Sequence, residues 1–331
     1  MTVANTDDVQ MEKRGNLGLI TLTRTKALNA LNRDMCIAIL AALDEWAEDE
    51  EVSVVAIQGD GDRAFCAGGD VVGLYHAGKA GAADWQDFFA DEYRMNHRIG
   101  TYPKPFVALI DGITMGGGVG LSIHAPYRVA TERTLFAMPE TGIGLITDVG
   151  ATHALPRLEG ELGTYLGLTG ARLKAEDCLY AGIATHYMES GDVPLLVDAL
   201  AAGPGSVEDT IAKFHQSPEQ PPELKAHRAD IDKYFDADEN VAHLHEADPA
   251  CAAGRGRGRS GRMFETGISF GREYQERQRF LRRYPRPVDR QGPETPLEPV
   301  EPARCHRRHG RWIFCRAGTR RSDALTAIVS Q

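Results

Sequence analysis

Short apolar runs that alternate with stretches of helical period constrain this chain more than any other feature. "GNLGLITLTR" (15–24), "VSVVAIQG" (52–59) and "KPFVALIDG" (104–112) each read as a β-strand, the last two fully buried. From Asn32, Met35, Ile39, Leu43 and Trp46 recur at i, i+4, i+8 and i+11, one apolar stripe along a helix. A second amphipathic helix is expected over 84–100. Two short strands are expected near Tyr127–Ala130 and Leu135–Ala137, then helical segments over about 150–180. A strand at "IATHYM" and a helix at "DVPLLVDALAAG" follow. Strands separated by helices pair in parallel, because a parallel neighbour needs a crossover connection. The expected fold class is α/β.

Two glycine clusters stand at strand-to-helix junctions, "CAGGD" (66–70) and "MGGGVG" (115–120). Neither completes GxGxxG, and no Gly-Lys-Ser/Thr follows, so dinucleotide and phosphate loops are not expected. Glycines at such junctions can simply make tight turns or let elements pack. They can also bring two backbone N–H groups from different loops onto one oxygen, which is the make-up of an oxyanion hole. "FAMPETGIGLITDVGATHALPRL" (136–158) sets Glu140 and Asp148 among glycines and apolar residues. The plain reading is a pair of solvated loop acids. The alternative is a reacting pair, since a carboxylate in apolar surroundings has a raised pKa and can serve as general base or acid. His97, His124 and His153 have no Ser or Cys partner in a nucleophile motif, and "GLSIH" is not a nucleophile elbow, so they read as structural. Cys66 beside the glycine pair reads as a small buried residue.

Composition narrows the class. With 42% hydrophobic and 25% charged residues the chain is that of an ordinary globular protein, and no apolar run approaches a membrane span. The polar start MTVANTDDVQ has neither a signal-peptide core nor an Arg-rich transit pattern, so a cytoplasmic location is expected. The 6 cysteines are scattered without CxxC or metal-ligand spacing; reduced thiols and no metal are expected.

"FCAGGD", "KPFVALIDGITMGGGVGLSIH", "FAMPETGIGLITDVGATHALPRL" and "LTGARL…AGIATHYM" together resemble the 3-hydroxyisobutyryl-CoA hydrolase branch of the enoyl-CoA hydratase/isomerase (crotonase) superfamily. The resemblance runs nearly continuously over about residues 13–190. It implies a crotonase-like spiral of ββα turns, with an acyl-CoA across it and the thioester oxygen between two backbone N–H groups. By position those donors are Gly69 and Gly117, Glu140 and Asp148 are the catalytic acids, and Glu92 in "DEYRMN" contacts substrate. No separate cofactor is implied, since coenzyme A is part of the substrate. Neither nucleic acid nor a membrane is an expected partner, and a homo-oligomer is compatible with the reading. Hydratases of the superfamily carry a second glutamate three residues after the middle glycine; here that position is Gly120, while Asp148 matches the acid of the hydrolase branch. This favours thioester hydrolysis, in valine breakdown by analogy, over hydration or isomerisation. The chain departs from the family pattern at Thr147, usually proline, and Ala151, usually glycine.

The resemblance further implies a core over 1–200, a helical remnant of the C-terminal region over 201–250, and closing helices beyond. Residues 251–331 instead hold 18 Arg, no Lys and 8 acids, rich in Pro and Gly, against a strongly acidic 1–250. "REYQERQRFL" (272–281) resembles a family helix. "VDRQGPETPLEP" (288–299) can be encoded so that a one-base shift yields "IDKDRKRRWNP", close to the family's missing motif. This end of the chain therefore reads as translated out of frame and poorly ordered. The rival reading takes "GRGRGRSGR" (254–262) for a nucleic-acid-binding tail on a non-catalytic protein that binds acyl-CoA or RNA. Limited proteolysis separates the two readings of the tail: cleavage within 283–331 well before the core is cut is expected, and equal resistance would mean a genuine folded extension.

Overall fold

The computed structural model describes residues 6–82, 86–203 and 205–236, together with the backbone of 305–308 and 311–314. The chain divides into two units, Met1–Asn240 and Val241–Gln331. In the second unit the described residues are two antiparallel strands, Cys305–Arg308 and Arg311–Phe314, paired Cys305 with Phe314. The basic stretch 254–262 and the expected helix at 272–281 lie outside the described residues.

The first unit runs β1 (Val9–Arg14), β2 (Leu17–Leu22), α1 (Arg33–Glu48), β3 (Val54–Gly59), β4 (Ala64–Cys66), α2 (Val71–Lys79) and α3 (Asp87–Gly100). It continues with β5 (Phe106–Ile110), β6 (Ile113–Met115), α4 (Gly117–Gly120), β7 (Tyr127–Ala130) and β8 (Leu135–Ala137). Short helices α5 (Ala151–Ala154), α6 (Leu162–Thr169) and α7 (Ala175–Tyr180) lead to β9 (His186–Tyr187). Helices α8 (Val193–Ala202), α9 (Val207–Ala212) and α10 (Glu223–Tyr234) follow.

Consecutive turns of chain contribute one strand to each of two sheets. The larger has the order β1-β2-β3-β5-β7-β9 and the smaller β4-β6-β8. Among the strands β1 to β9 every pairing is parallel except that of β1 with β2; β8 also makes a single antiparallel bridge, Phe136 with Leu173. This is the α/β crotonase-like spiral that the resemblance implies, each turn feeding β3 and β4, then β5 and β6, then β7 and β8. Leu17, Leu19, Val54, Ala56, Val107, Leu109 and Val129 line one face of the larger sheet and pack against Val193, Leu196, Val197 and Leu200 of α8.

Local chemistry accounts for the boundaries. Helix α1 begins where the Asn32 side chain accepts from Met35 N at 2.9 Å, satisfying one of the free amides of the first turn. Its expected stripe, Met35, Ile39, Leu43 and Trp46, is buried throughout. At least four elements exceed the sequence expectation, among them β4 and β6, which form within the glycine-rich stretches after the expected strands at 52–59 and 104–112. The strand β1 carries only Val9 and Met11 as buried apolar residues among polar neighbours. Helix α2 has no buried residue, with Val71 and Val72 exposed, so no apolar stripe announces it.

Adjacent turns approach closely at Gly118. A methyl group on Gly118 would collide with the carbonyl oxygen of Cys66 at the end of β4. Backbone cannot step aside as a side chain can, so Gly118→Ala is expected to cost about 1–3 kcal/mol of stability. A lower midpoint in urea unfolding with an unchanged slope is the measurement that checks it.

Candidate active site

The smaller sheet determines where the site lies. Its strands β4, β6 and β8 are parallel neighbours, ending at Cys66, Met115 and Ala137. Gly69, Gly117 and Glu140 each follow one of these ends by two or three residues. Neighbouring strands lie about 4.8 Å apart, so equivalent positions past their carboxyl ends converge, the usual place for a site in parallel sheets. The middle strand delivers Gly117 between the other two.

Close contacts express that convergence. A methyl group on Gly117 would meet Glu92 Oε1 at 2.5 Å and Gly69 N at 3.2 Å, and one on Gly116 would meet Glu140 Oε1 at 3.1 Å. Glu92 and Glu140 therefore flank the Gly116–Gly117 peptide, close to the amide of Gly69. Among the described residues, neither Gly69 N–H nor Gly117 N–H donates to a protein acceptor. Oxygen atoms Glu92 Oε1 and Glu140 Oε2 are also buried without a partner.

The acids are charged at unusual cost. Glu92 is 2% exposed and Glu140 5%. Burial, then the nearby Asp148 and Glu140, push the Glu92 carboxyl up to about 8. Burial raises Glu140 to about 7, with Asp148 adding to the rise. Burial also raises Asp148, while the hydrogen bond from Tyr93 Oη to its Oδ2, 2.7 Å long, pulls the other way. The structure thus brings Gly69, Gly117, Glu92, Glu140 and Asp148 into one neighbourhood. At neutral pH it favours a protonated Glu92 beside a Glu140 poised between its two forms.

Two residues of this neighbourhood carry no mark in the sequence reading. Tyr93 reaches Asp148 from α3, although a tyrosine following an acid is an ordinary surface pattern. Asn96, one turn after Glu92 on the buried face of α3, is 3% exposed with both amide atoms unpartnered. Its spacing of four residues from Glu92 is the available signal. Asn96 and Val149 crowd Gly120: a methyl group there would lie 2.7 Å from Val149 Cβ and 2.8 Å from Asn96 Nδ2. Cys66 is buried, as expected, and its thiol is pushed up to about 12 by burial, so it is no thiolate nucleophile.

The model of the enoyl-CoA hydratase/isomerase family matches residues 17–254. The chain belongs to that family. Within it, the chain is 49% identical over 238 residues to the mitochondrial 3-hydroxyisobutyryl-CoA hydrolase of Gallus gallus, covering 72% of this chain and 60% of that protein. To the protein of the same name from Xenopus tropicalis it is 52% identical over 235 residues, covering 69% of this chain and 61% of the other. The chain thus spans about 60% of the length of the curated relatives it matches. A crystal structure of an enoyl-CoA hydratase from Rhodobacter sphaeroides superposes with a TM-score of 0.64 at 45% identity, covering 69% of this chain and 66% of that one. The resemblance to the hydrolase branch is borne out at the level of family and relatives. These relatives are named mitochondrial, whereas the expectation from the N-terminus is cytoplasmic. Among the described residues no helix is long and apolar enough to cross a membrane.

Burial of Glu92 leaves a signature in stability. Its folded pKa, about 8, stands above the ordinary 4.5. The protonated acid therefore supports the fold fully below 4.5, and that support is lost as pH rises through about 8. Glu92→Gln removes the titration. The gap between its melting temperature and that of the unaltered protein is expected to shift in favour of the variant from about pH 5 to about pH 9. Parallel pH profiles for the two proteins would contradict a buried, titrating Glu92.

Proposed function

We propose that the protein hydrolyses the thioester of a short branched 3-hydroxyacyl-CoA, of the kind for which its hydrolase relatives are named. The observation that carries this reading is Glu140: buried, its pKa raised to about 7, with Oε1 beside the Gly116–Gly117 peptide and Oε2 unpartnered. In the reading, the thioester carbonyl oxygen accepts hydrogen bonds from the N–H groups of Gly69 and Gly117. Each such donor aimed at a developing oxyanion is worth about 3 kcal/mol. Ionised Glu140 delivers the nucleophile, either its own oxygen or a water whose proton it takes. Collapse of the tetrahedral intermediate breaks the C–S bond, and the thiolate of coenzyme A leaves and takes up a proton. Protonated Glu92 contacts the substrate as a hydrogen-bond donor. Asp148, held by Tyr93, orients the 3-hydroxyl and the proton transfers. Glu140 used as a nucleophile would give an acyl-enzyme anhydride that water then opens, so the net reaction consumes one water on either route.

A second reading, hydration of a C=C bond, draws on the hydratase title of the Rhodobacter sphaeroides structure. Against it stands Gly120, where a side chain would run into Val149 and Asn96 and no carboxylate is present. With no carboxylate at position 120, the second acid that hydration would use to place water is missing from that position.

Thiol release from 3-hydroxyisobutyryl-CoA, measured beside hydration of crotonyl-CoA, separates the two; faster hydration would overturn the hydrolase reading. Glu140→Gln is expected to lower turnover by about 100-fold or more while leaving acyl-CoA binding intact. Because Glu140 must be ionised and Glu92 protonated to act, kcat/KM should rise with pH through about 7 and fall again above about 8.

A further inference from the structure

Val149, immediately after Asp148, has φ +47. A β-branched residue in the left-handed region is strained and persists only where its surroundings hold it there. The turn is closed by Ala151 N donating to Asp148 O at 2.8 Å, and the Val149 carbonyl oxygen within it is held by His124, whose Nε2 lies 3.0 Å away. A carbonyl oxygen only accepts, so Nε2 carries the proton in this contact. Burial lowers the imidazole pKa, which keeps the ring neutral. The ring also closes over Gly150, φ +77, where a methyl group would collide with Nε2. On its far side a methyl on Gly100, the last residue of α3, would lie 3.3 Å from His124 Cβ. His124, on the segment that follows α4, therefore sits between the end of α3 and the turn that carries Asp148.

We propose that His124 is a positioning residue: by holding the Val149 carbonyl it fixes the left-handed turn that aims the Asp148 carboxylate at the site. The inference rests on the reading that Asp148 takes part in the hydrolysis. Three other contacts fix the rest of the turn. Thr147 Oγ1 donates to Gly167 O of α6 at 3.3 Å, Ala151 N donates to Asp148 O at 2.8 Å, and Tyr93 Oη donates to the carboxylate itself. The Ala151 bond closes the turn at its ends, around Val149 and Gly150; among the described residues only His124 holds the Val149 carbonyl, whose release would let that peptide tilt and rotate Asp148 with it. Since Val149 Cβ also packs against the space above Gly120, the same relaxation would disturb the wall next to Asn96.

The test compares His124→Gln, which keeps a donor at similar reach, with His124→Leu, which keeps bulk and loses the donor. Turnover is expected within about threefold of the unaltered protein for the glutamine variant. For leucine it is expected to fall about 10- to 100-fold with KM changed less than about twofold, the scale on which small misplacements act. Adding Val149→Gly to the leucine variant should recover about tenfold of kcat, because glycine adopts the left-handed turn without being held. Crystal structures of the variants give a readout independent of turnover: the Tyr93–Asp148 hydrogen bond should survive in glutamine and open in leucine. A leucine variant with unchanged kcat, equal losses in both variants, or an intact Tyr93–Asp148 bond in leucine would overturn the inference. If leucine does not fold, His124→Asn, too short to reach the carbonyl, replaces it with the same expectation. Full activity of Asp148→Asn would refute the functional reading instead, while the crystallographic comparison would still decide the role of His124.

Discussion

Parallel pairing of β4, β6 and β8 is the constraint on which the rest of the site depends. The backbone hydrogen bonds of this small sheet hold three strand ends side by side. Each strand is followed at once by the residue that matters: Gly69, Gly117 and Glu140. No side-chain network could hold two amides and a carboxylate in register so cheaply, since the sheet does so with groups that must be bonded anyway. The longer strands β3, β5 and β7 repeat the arrangement one layer away and give it a core to rest on. Glycine follows from the same geometry, because Gly116 has φ +49 and a Cβ on Gly117 would crowd Glu92 Oε1 and the Gly69 amide.

Within that frame the electrostatics oppose stability. Glu92, Glu140 and Asp148 are withdrawn from water near one another, and all three hold their protons more tightly than exposed acids do. Two of them present oxygen atoms with no protein partner. Such groups are costly in a folded core. Their concentration beside two unengaged amides marks the place where the fold gives up stability for chemistry.

Much of this was legible in the sequence, for definite reasons. The β-branched runs of β3 and β5 and the stripe of α1 are signals of burial, and burial is what the fold conserves from pattern to structure. The glycine clusters and Glu140 stood out because each breaks the local pattern. Their convergence, by contrast, is a property of strand order, and the resemblance to a family supplied it. Tyr93, Asn96 and His124 were not legible as parts of the site. Each lies on an element whose sequence is ordinary, and its role arises from a tertiary neighbour: Asp148 for Tyr93, Gly120 for Asn96, the Val149 carbonyl for His124. The strand β1 was missed because one buried face with two apolar residues gives too short an alternation to read.

That same strand has a consequence for how copies of the molecule meet. In the larger sheet β1 is one outer strand and β9 the other. An outer strand offers unpaired backbone groups to any chain that could add to it. Here β1 ends in Glu12, Lys13 and Arg14, with Lys13 paired to Asp49 and Glu51 and Arg14 to Asp198. The opposite edge, His186–Tyr187, is only two residues long. Charge blunts one border and brevity the other, so a sheet built from strongly apolar central strands is protected from edge-to-edge aggregation.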